Sequence, residues 1–177
     1  MEANILLWIQ ENLRAEWLDP LVIGITYLGN AGIFWIALSL LLLFIPKQRK
    51  LGLTCGVSLI FDLLSVNLFI KKVVARTRPY EVIEGLTKII GEQSDYSFPS
   101  GHTAASFAVA TVLLMRAPKK LSIPMFILAC LISLSRLYVG VHYPTDILGG
   151  VVIGAICGIA AVYLIDFIWK KVKKNEK

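Results

Sequence analysis

The chain alternates between long apolar runs and short polar breaks. Residues 21–45, 51–70, 100–115, 121–135 and 146–169 form the apolar runs. A bilayer core of about 30 Å takes roughly 20 helical residues. The first, second and fifth runs reach that length, whereas the third and fourth, at about 15 to 16 residues, fall short of it. Pro20, Pro46, Pro79, Pro99, Pro118 and Pro144 stand at or beside run ends, where a fixed φ and a missing N–H stop a helix. Only Pro124 lies inside a run, near its start. Residues 1–19 behave differently. Ile5, Trp8, Ile9, Leu13 and Trp17 recur at helical spacing with Glu2, Glu11, Arg14 and Glu16 between them. That segment is too polar to span a membrane. It predicts an amphipathic helix at the interface, either lying on the membrane or folded onto the protein. Residues 71–99 form a loop between the second and third runs, with a short helix expected over 80–90. The fold class is all-α: a polytopic transmembrane bundle of about five spans with an N-terminal interfacial helix, in one domain over 1–177.

Composition strengthens the membrane reading. Hydrophobic residues make up 56% and charged ones only 17%, against about a quarter charged in soluble domains. Mean hydropathy is +0.71. Cys55, Cys130 and Cys157 all lie in apolar runs, an odd and scattered set that predicts neither a disulfide framework nor a zinc site. No cleavable signal peptide is expected, because residues 1–20 carry four acids and no small-residue cleavage site.

The net charge of +6 first suggests nucleic acid, but its distribution gives another reason. Numbering the faces by parity, one face holds the 47–50 linker, the 116–120 linker and the tail from Lys170, with 11 of the 18 Lys and Arg. The other face holds 1–20, 71–99 and 136–145. By the positive-inside rule the first face is cytoplasmic and the second external. The positive charge is then a topology signal, and nucleic acid is unnecessary as a partner. The expected location is the cell (inner) membrane.

The same parity collects the chemically useful residues on the outer face. His102 and His142 are the only histidines, and Lys71, Arg78, Ser100, Gly101, Arg136 and Asp146 fall beside them at or near the ends of the spans. Lys71, Arg78 and Arg136 supply the neutralisation a phosphate dianion needs, and arginine adds forked donors. Pro99-Ser100-Gly101 precedes a helix whose N-terminus favours an anion, and Gly101 permits close approach of the backbone to a phosphoryl oxygen. His142 and Asp146 are four apart, so a carboxylate can hold one imidazole nitrogen and leave the other as a nucleophile. His102 can protonate the leaving oxygen. Taken singly, a Lys or Arg at a span end is a snorkelling anchor, and Lys72 and Arg76 read that way.

Taken together, Lys71 with Arg78-Pro79, then Pro99-Ser100-Gly101-His102, then Ser135-Arg136 with His142 and Asp146, resemble the three-part signature of the type 2 phosphatidic acid phosphatase family at every position. The vanadium haloperoxidases share that fold and site. The resemblance covers about 71–146. It implies a metal-independent lipid phosphatase without a cofactor, with His142 as the nucleophile that forms a phosphohistidine, Asp146 orienting it and His102 as general acid. Lys71, Arg78, Ser100, Gly101 and Arg136 would bind phosphate. Among short bacterial members of the family, undecaprenyl diphosphate leads the list of substrates, with phosphatidylglycerophosphate, phosphatidate and lipid A phosphates as alternatives. A lipid phosphate in the bilayer is therefore the expected partner.

Rival readings are a phosphate-lipid binding or transport protein that uses the same cations, and a soluble-substrate phosphatase on an anchor. Transport would need polar residues along a path through the spans, where only Asp62 and Asn67 stand. Asp62 reads as a structural interhelical hydrogen bond, and Asp166 with Lys170 as an i, i+4 pair.

Overall fold

In the computed structural model, which describes residues 1–175, the chain forms α1 (Glu2–Asn12), α2 (Asp19–Leu28), α3 (Ile33–Phe44), α4 (Arg49–Asp62), α5 (Lys71–Val74), α6 (Pro79–Val82), α7 (Gly101–Arg116), α8 (Lys119–Tyr138) and α9 (Pro144–Asn175). A π-helical stretch, Leu63–Ile70, joins α4 to α5 without a break. Lys177, the last cation of the basic tail, lies outside the described residues.

Small side chains decide which helix is central. Ten of the 16 residues of α7 are buried, many of them Ala, Ser or Thr, and α7 packs against α4, α8 and α9. On α9 a glycine every fourth residue faces it. A Cβ at Gly150, Gly154 or Gly158 would stand 2.8, 2.3 and 2.6 Å from the carbonyl oxygens of Ser100, Ala104 and Ala108. The backbones of α7 and α9 therefore touch, as small-residue stripes allow in membranes. Trp35, fully buried, closes the core from α3 and donates its indole N–H to Ser106 Oγ of α7 at 2.9 Å. Cys55 and Cys157 are buried free thiols, and Cys130 is partly buried.

Among the described residues, three helical stretches are long and apolar enough to cross a membrane: Pro46–Val82, Lys119–Tyr138 and Pro144–Val172. The first apolar run supplies a fourth as a bent pair, because it breaks between α2 and α3 with a 46° change of axis. The break is a 3-10 turn, Asn30–Gly32, with left-handed φ at Ala31 (49°) and Gly32 (65°). The fifth member is α7, which at 16 residues is about 24 Å long.

Several expected boundaries move. The fourth run is not short: α8 has 20 residues, about 30 Å, and continues past Ser135 because Arg136 is held by protein groups rather than lipid. The helix expected over 80–90 is a single turn, α6, followed by Gly85 at φ 80°. Beyond that turn the loop is tied down instead by Gln10, which takes the backbone N–H of Thr87 on Oε1 and donates to Gly85 O. Asp166 pairs with Lys50 and Arg116, not with Lys170, and staples three helices at the end of the bundle away from the histidines. For residues 1–19 the structure decides between the two options. Leu6 is 1% exposed, Ile9 packs on the Tyr138–Val139–Val141 cluster, and Arg14 Nε donates to Tyr138 O at 2.7 Å, so α1 is folded onto the bundle. Trp8 of α1 and Trp17, in the segment after it, stay exposed.

Candidate active site

The contact between α7 and α9 fixes the centre of the site. Ser100, at the N-cap of α7, donates its backbone N–H to Asp146 O at 3.1 Å. Asp146, in the first turn of α9, is fully buried. Its Oδ2 accepts from Ser97 Oγ at 2.5 Å and from the Tyr143 backbone N–H at 2.9 Å, and it lies 3.4 Å from His142 Nδ1. Its Oδ1 accepts from Arg76 Nη1 at 2.6 Å. On the far side of the ring, His142 Nε2 lies 3.4 Å from Arg78 Nη1. Guanidinium has no lone pair to offer. The arrangement therefore favours the tautomer with the proton on Nδ1 toward Asp146 and the lone pair on Nε2 toward Arg78. His142 sits in the turn between α8 and α9 and is 1% exposed. Burial, against the pull of Asp146 and with the charges of Arg78 and Arg136 adding to it, pushes its pKa down to about 3. The ring is neutral, and Nε2 is available to a phosphorus atom.

Around this nitrogen stand the cations. Lys71 and Arg78 are 4% and 2% exposed, and Arg136 is 1% exposed. All three are held by oxygen acceptors. Lys71 Nζ pairs with Asp95 Oδ2, and Arg78 donates to Asp95 Oδ1 at 2.5 Å and to the carbonyls of Asp95 and Val141. Arg136 donates to Thr26 Oγ1 at 2.7 Å and Gln93 Oε1 at 3.1 Å, while its Nε is buried without a partner among the described residues. Burial works against the Asp95 carboxylate, but the bond from Lys71 and the charges of Lys71 and Arg78 outweigh it and hold its pKa below the usual carboxylate range. Residues 93–95 thus present to the cations the kind of oxygens a phosphate would present.

Ser100 is fully buried and accepts at Oγ from Thr103 N–H and Thr103 Oγ1, which leaves its own hydroxyl hydrogen uncommitted. A Cβ at Gly101 would point into the space between Asn67 Oδ1 and Lys71 Nζ, at 3.5 and 3.9 Å. His102 Nε2–H is held by Asn30 Oδ1 at 2.8 Å. Gly29 lets the end of α2 pass the same ring, since a Cβ there would stand 2.6 Å from His102 Cδ2.

Lys71, Arg78, Gly101, His102 and His142 open onto one cleft of about 550 Å³ that continues between α3 and α4, past Leu40, Leu43, Leu59 and Ile60. The π-helical stretch shapes its wall. Asp62 and Lys71 are nine residues apart, which in a regular α-helix is two and a half turns and opposite faces. The wider i→i+5 turns over Leu63–Ile70 shorten that to about two turns, and Asp62, Asn67 and Lys71 all line the cleft. Asp62 Oδ1 makes no hydrogen bond among the described residues, so the interhelical bond expected for it is not made there.

All eight residues singled out by spacing meet at this end of the bundle: five line the cleft, Asp146 and Ser100 stand behind them, and Arg136 closes the side. The spacing argument missed Asn30, Asp95, Ser97, Thr26, Gln93, Glu2 and Arg76. Only Arg76 carried a usable signal, a second arginine two residues before Arg78. Gln93, Asp95 and Ser97 act from a loop, and Glu2, Thr26 and Asn30 from α1, α2 and the turn after it, so all of them reach the site only through tertiary contacts.

Residues 49–170 match the PAP2 superfamily. The chain is 36% identical to an undecaprenyl-diphosphatase of Sulfolobus acidocaldarius over 68% of its own length and 58% of the relative's. It is 33% identical to the undecaprenyl-diphosphatase BcrC of Bacillus subtilis over 80% and 72%. The crystal structure of Aquifex aeolicus LpxE superposes with a TM-score of 0.77 at 29% identity, covering 92% of this chain and 94% of that one. With that signature, fold and breadth of match, the chain belongs to the PAP2 superfamily and is a membrane phosphatase.

Proposed function

We propose that the chain hydrolyses a lipid phosphate or diphosphate through a phosphohistidine on His142, with undecaprenyl diphosphate as its leading substrate. The observation that carries this reading is the single cleft, with cations and both imidazoles at its head and an apolar limb between α3 and α4. Leu40, Ile60 and Leu63 on its walls are about half exposed on the outside of the bundle, so a lipid chain can lie in the limb while its phosphate reaches the head.

In the first step the Nε2 lone pair of His142 forms a bond to the terminal phosphorus, in line with the leaving oxygen. The bond from phosphorus to that oxygen breaks, and the oxygen takes the electron pair and a proton from His102, which enters the step as the imidazolium, oriented by Asn30, and leaves it as a neutral ring. Lys71, Arg78 and Arg136 hold the equatorial oxygens in place of Asp95 and Gln93, with Ser100 and Gly101 at the positive end of α7. Asp146 stabilises the charge that develops on the imidazole. In the second step water attacks phosphorus and gives a proton to His102. The N–P bond breaks, its electrons return to Nε2, and inorganic phosphate leaves.

The site faces the extracytoplasmic side of the cell membrane in this reading. The support is the clustering of Lys50, Arg116 and Asp166 at the opposite end, beside the basic linkers. The test is phosphate release by the purified protein from undecaprenyl diphosphate, phosphatidylglycerophosphate, phosphatidate and lipid A in one detergent. The highest kcat/KM is expected for undecaprenyl diphosphate. A higher value for a two-chain phospholipid would replace the substrate. Binding without release from any of them would point to the binding or transport protein instead. His142→Ala should release none, and wild-type rates in it would overturn the mechanism.

A further inference from the structure

Arg76 looks in the sequence like a snorkelling anchor beside Lys72, and Glu2 like one polar position of an interfacial helix. The structure places both elsewhere. Lys72 is exposed. Arg76 instead turns inward, because Ala75 at the C-cap of α5 adopts a left-handed φ of 46° and redirects the chain toward α9. The Arg76 backbone carbonyl then accepts from Ser97 N–H at 2.8 Å, and its guanidinium stacks over the Tyr143 ring at 3.7 Å.

We propose that Arg76 is a positioning residue for Asp146, and that Glu2 of α1 locks Arg76 in that position. The inference rests on His142 and Asp146 being the reacting pair. Asp146 is held at Oδ2 by Ser97 and the Tyr143 N–H, with His142 Nδ1 the most distant of its neighbours at 3.4 Å. A small rotation of the carboxylate loses the imidazole first. Among the described residues, the only side chain that fixes the other oxygen is Arg76, through Nη1 at 2.6 Å. The same Nη1 donates to Thr145 Oγ1 at 2.7 Å, and Nη2 donates to Glu2 Oε2 at 2.7 Å. Glu2 Oε1 accepts from the Thr145 N–H and from its hydroxyl, at 3.1 and 2.7 Å. One carboxylate of α1 therefore bolts the guanidinium to the first turn of α9, where the catalytic carboxylate stands. Both partners are only about 30% exposed, so solvent does not replace either bond freely. The N-terminal helix is in this way part of the catalytic apparatus as well as an interfacial element.

The test is kcat and KM for undecaprenyl diphosphate, with vanadate inhibition, in Arg76→Gln, Arg76→Lys, Glu2→Gln and the Glu2→Gln/Arg76→Gln double variant of the full chain. Lys72→Gln and His142→Ala serve as controls. Arg76→Gln should lower kcat roughly 30-fold while KM and the vanadate constant stay within about threefold, because the phosphate cations are untouched. Arg76→Lys should recover part of the loss. Glu2→Gln should lower kcat several-fold, and the double variant should be no slower than Arg76→Gln alone, since Glu2 acts through Arg76. Lys72→Gln should match the wild type. Multiplicative losses in the double variant, or a parallel loss of kcat and vanadate binding, would overturn the inference. So would an inactive His142→Ala beside a full-rate Arg76→Gln, leaving the phosphohistidine reading in place. Full activity in His142→Ala would overturn both.

Discussion

Asp146→Asn keeps the size of the side chain and removes its charge. The amide must turn its carbonyl oxygen toward Ser97 Oγ, the Tyr143 N–H and His142 Nδ1, since all three present protons. Its NH2 then faces Arg76 Nη1, donor against donor, at a position now 2.6 Å from Oδ1. The electrostatic loss can be sized. A full charge on the imidazole and a carboxylate oxygen 3.4 Å away interact by about 5 kcal/mol at an effective dielectric of about 20. Arg76 on the other oxygen cancels part of that field, and about half is a fair share, roughly 2–3 kcal/mol. The expected fall in kcat is therefore about 30- to 150-fold. KM should change little, because Asp146 lies behind His142 and does not line the cleft. The assay is steady-state phosphate release with vanadate inhibition as a check that the phosphate site survives. A kcat within threefold of wild type would refute the role given to the carboxylate. Loss of vanadate binding would show that the substitution had disturbed the fold instead.

Further outcomes follow from other parts of the structure. Three buried cations and the N-terminus of α7 already supply charge neutralisation, so turnover should survive EDTA and be inhibited by vanadate; loss on chelation that magnesium restores would refute this. With the native cysteines replaced, Glu92→Cys should react with an impermeant thiol reagent on intact cells and Lys47→Cys only after lysis, the reverse pattern placing the site inside. Gly154→Leu should lower Tm through overpacking of about 1–3 kcal/mol or more, because its Cβ meets Ala104 O at 2.3 Å, while Gly24→Ala, with open space around it, should not; equal melting curves would refute the backbone contact. The neutral His142 also leaves a pH signature. Its folded pKa of about 3 lies below the ordinary imidazole value of 6.5, so below about 6.5 the unfolded chain takes the proton first and stability falls as pH falls toward 3. His142→Gln has no imidazole to titrate, and parallel Tm–pH curves from pH 8 to 5 for the two proteins would count against the neutral ring.

Hydropathy and proline placement were enough to locate the helices, because lipid and core both demand apolar side chains. They misplace the end of α8, where Arg136 is buried and hydrogen-bonded and the helix goes on past the last apolar residue. The bend in the first run falls at Asn30–Gly32, where Gly29, Asn30 and Gly32 interrupt the apolar sequence, although hydropathy alone carries the run straight through it. Spacing located the histidines, cations and Asp146, since these lie at helix ends whose side of the membrane follows from counting spans. It said nothing of Asp95 or Ser97, whose positions depend on a long loop returning to Lys71 and Asp146. Nor did it place Asp62 beside Lys71, because a 3.6-residue period puts them on opposite faces and only the π-helical turns realign them.

The cleft between α3 and α4 also bears on how rates must be measured. Its apolar limb runs along the flank of the bundle, with Leu40, Ile60 and Leu63 on the outer surface. A substrate entering there moves in two dimensions, and what the protein encounters is its mole fraction in the bilayer or micelle. Adding inert detergent at fixed substrate should then slow the reaction as surface dilution, although the bulk concentration is unchanged. Michaelis constants for this phosphatase belong in mole per cent, and two laboratories using different detergent ratios would otherwise report different enzymes.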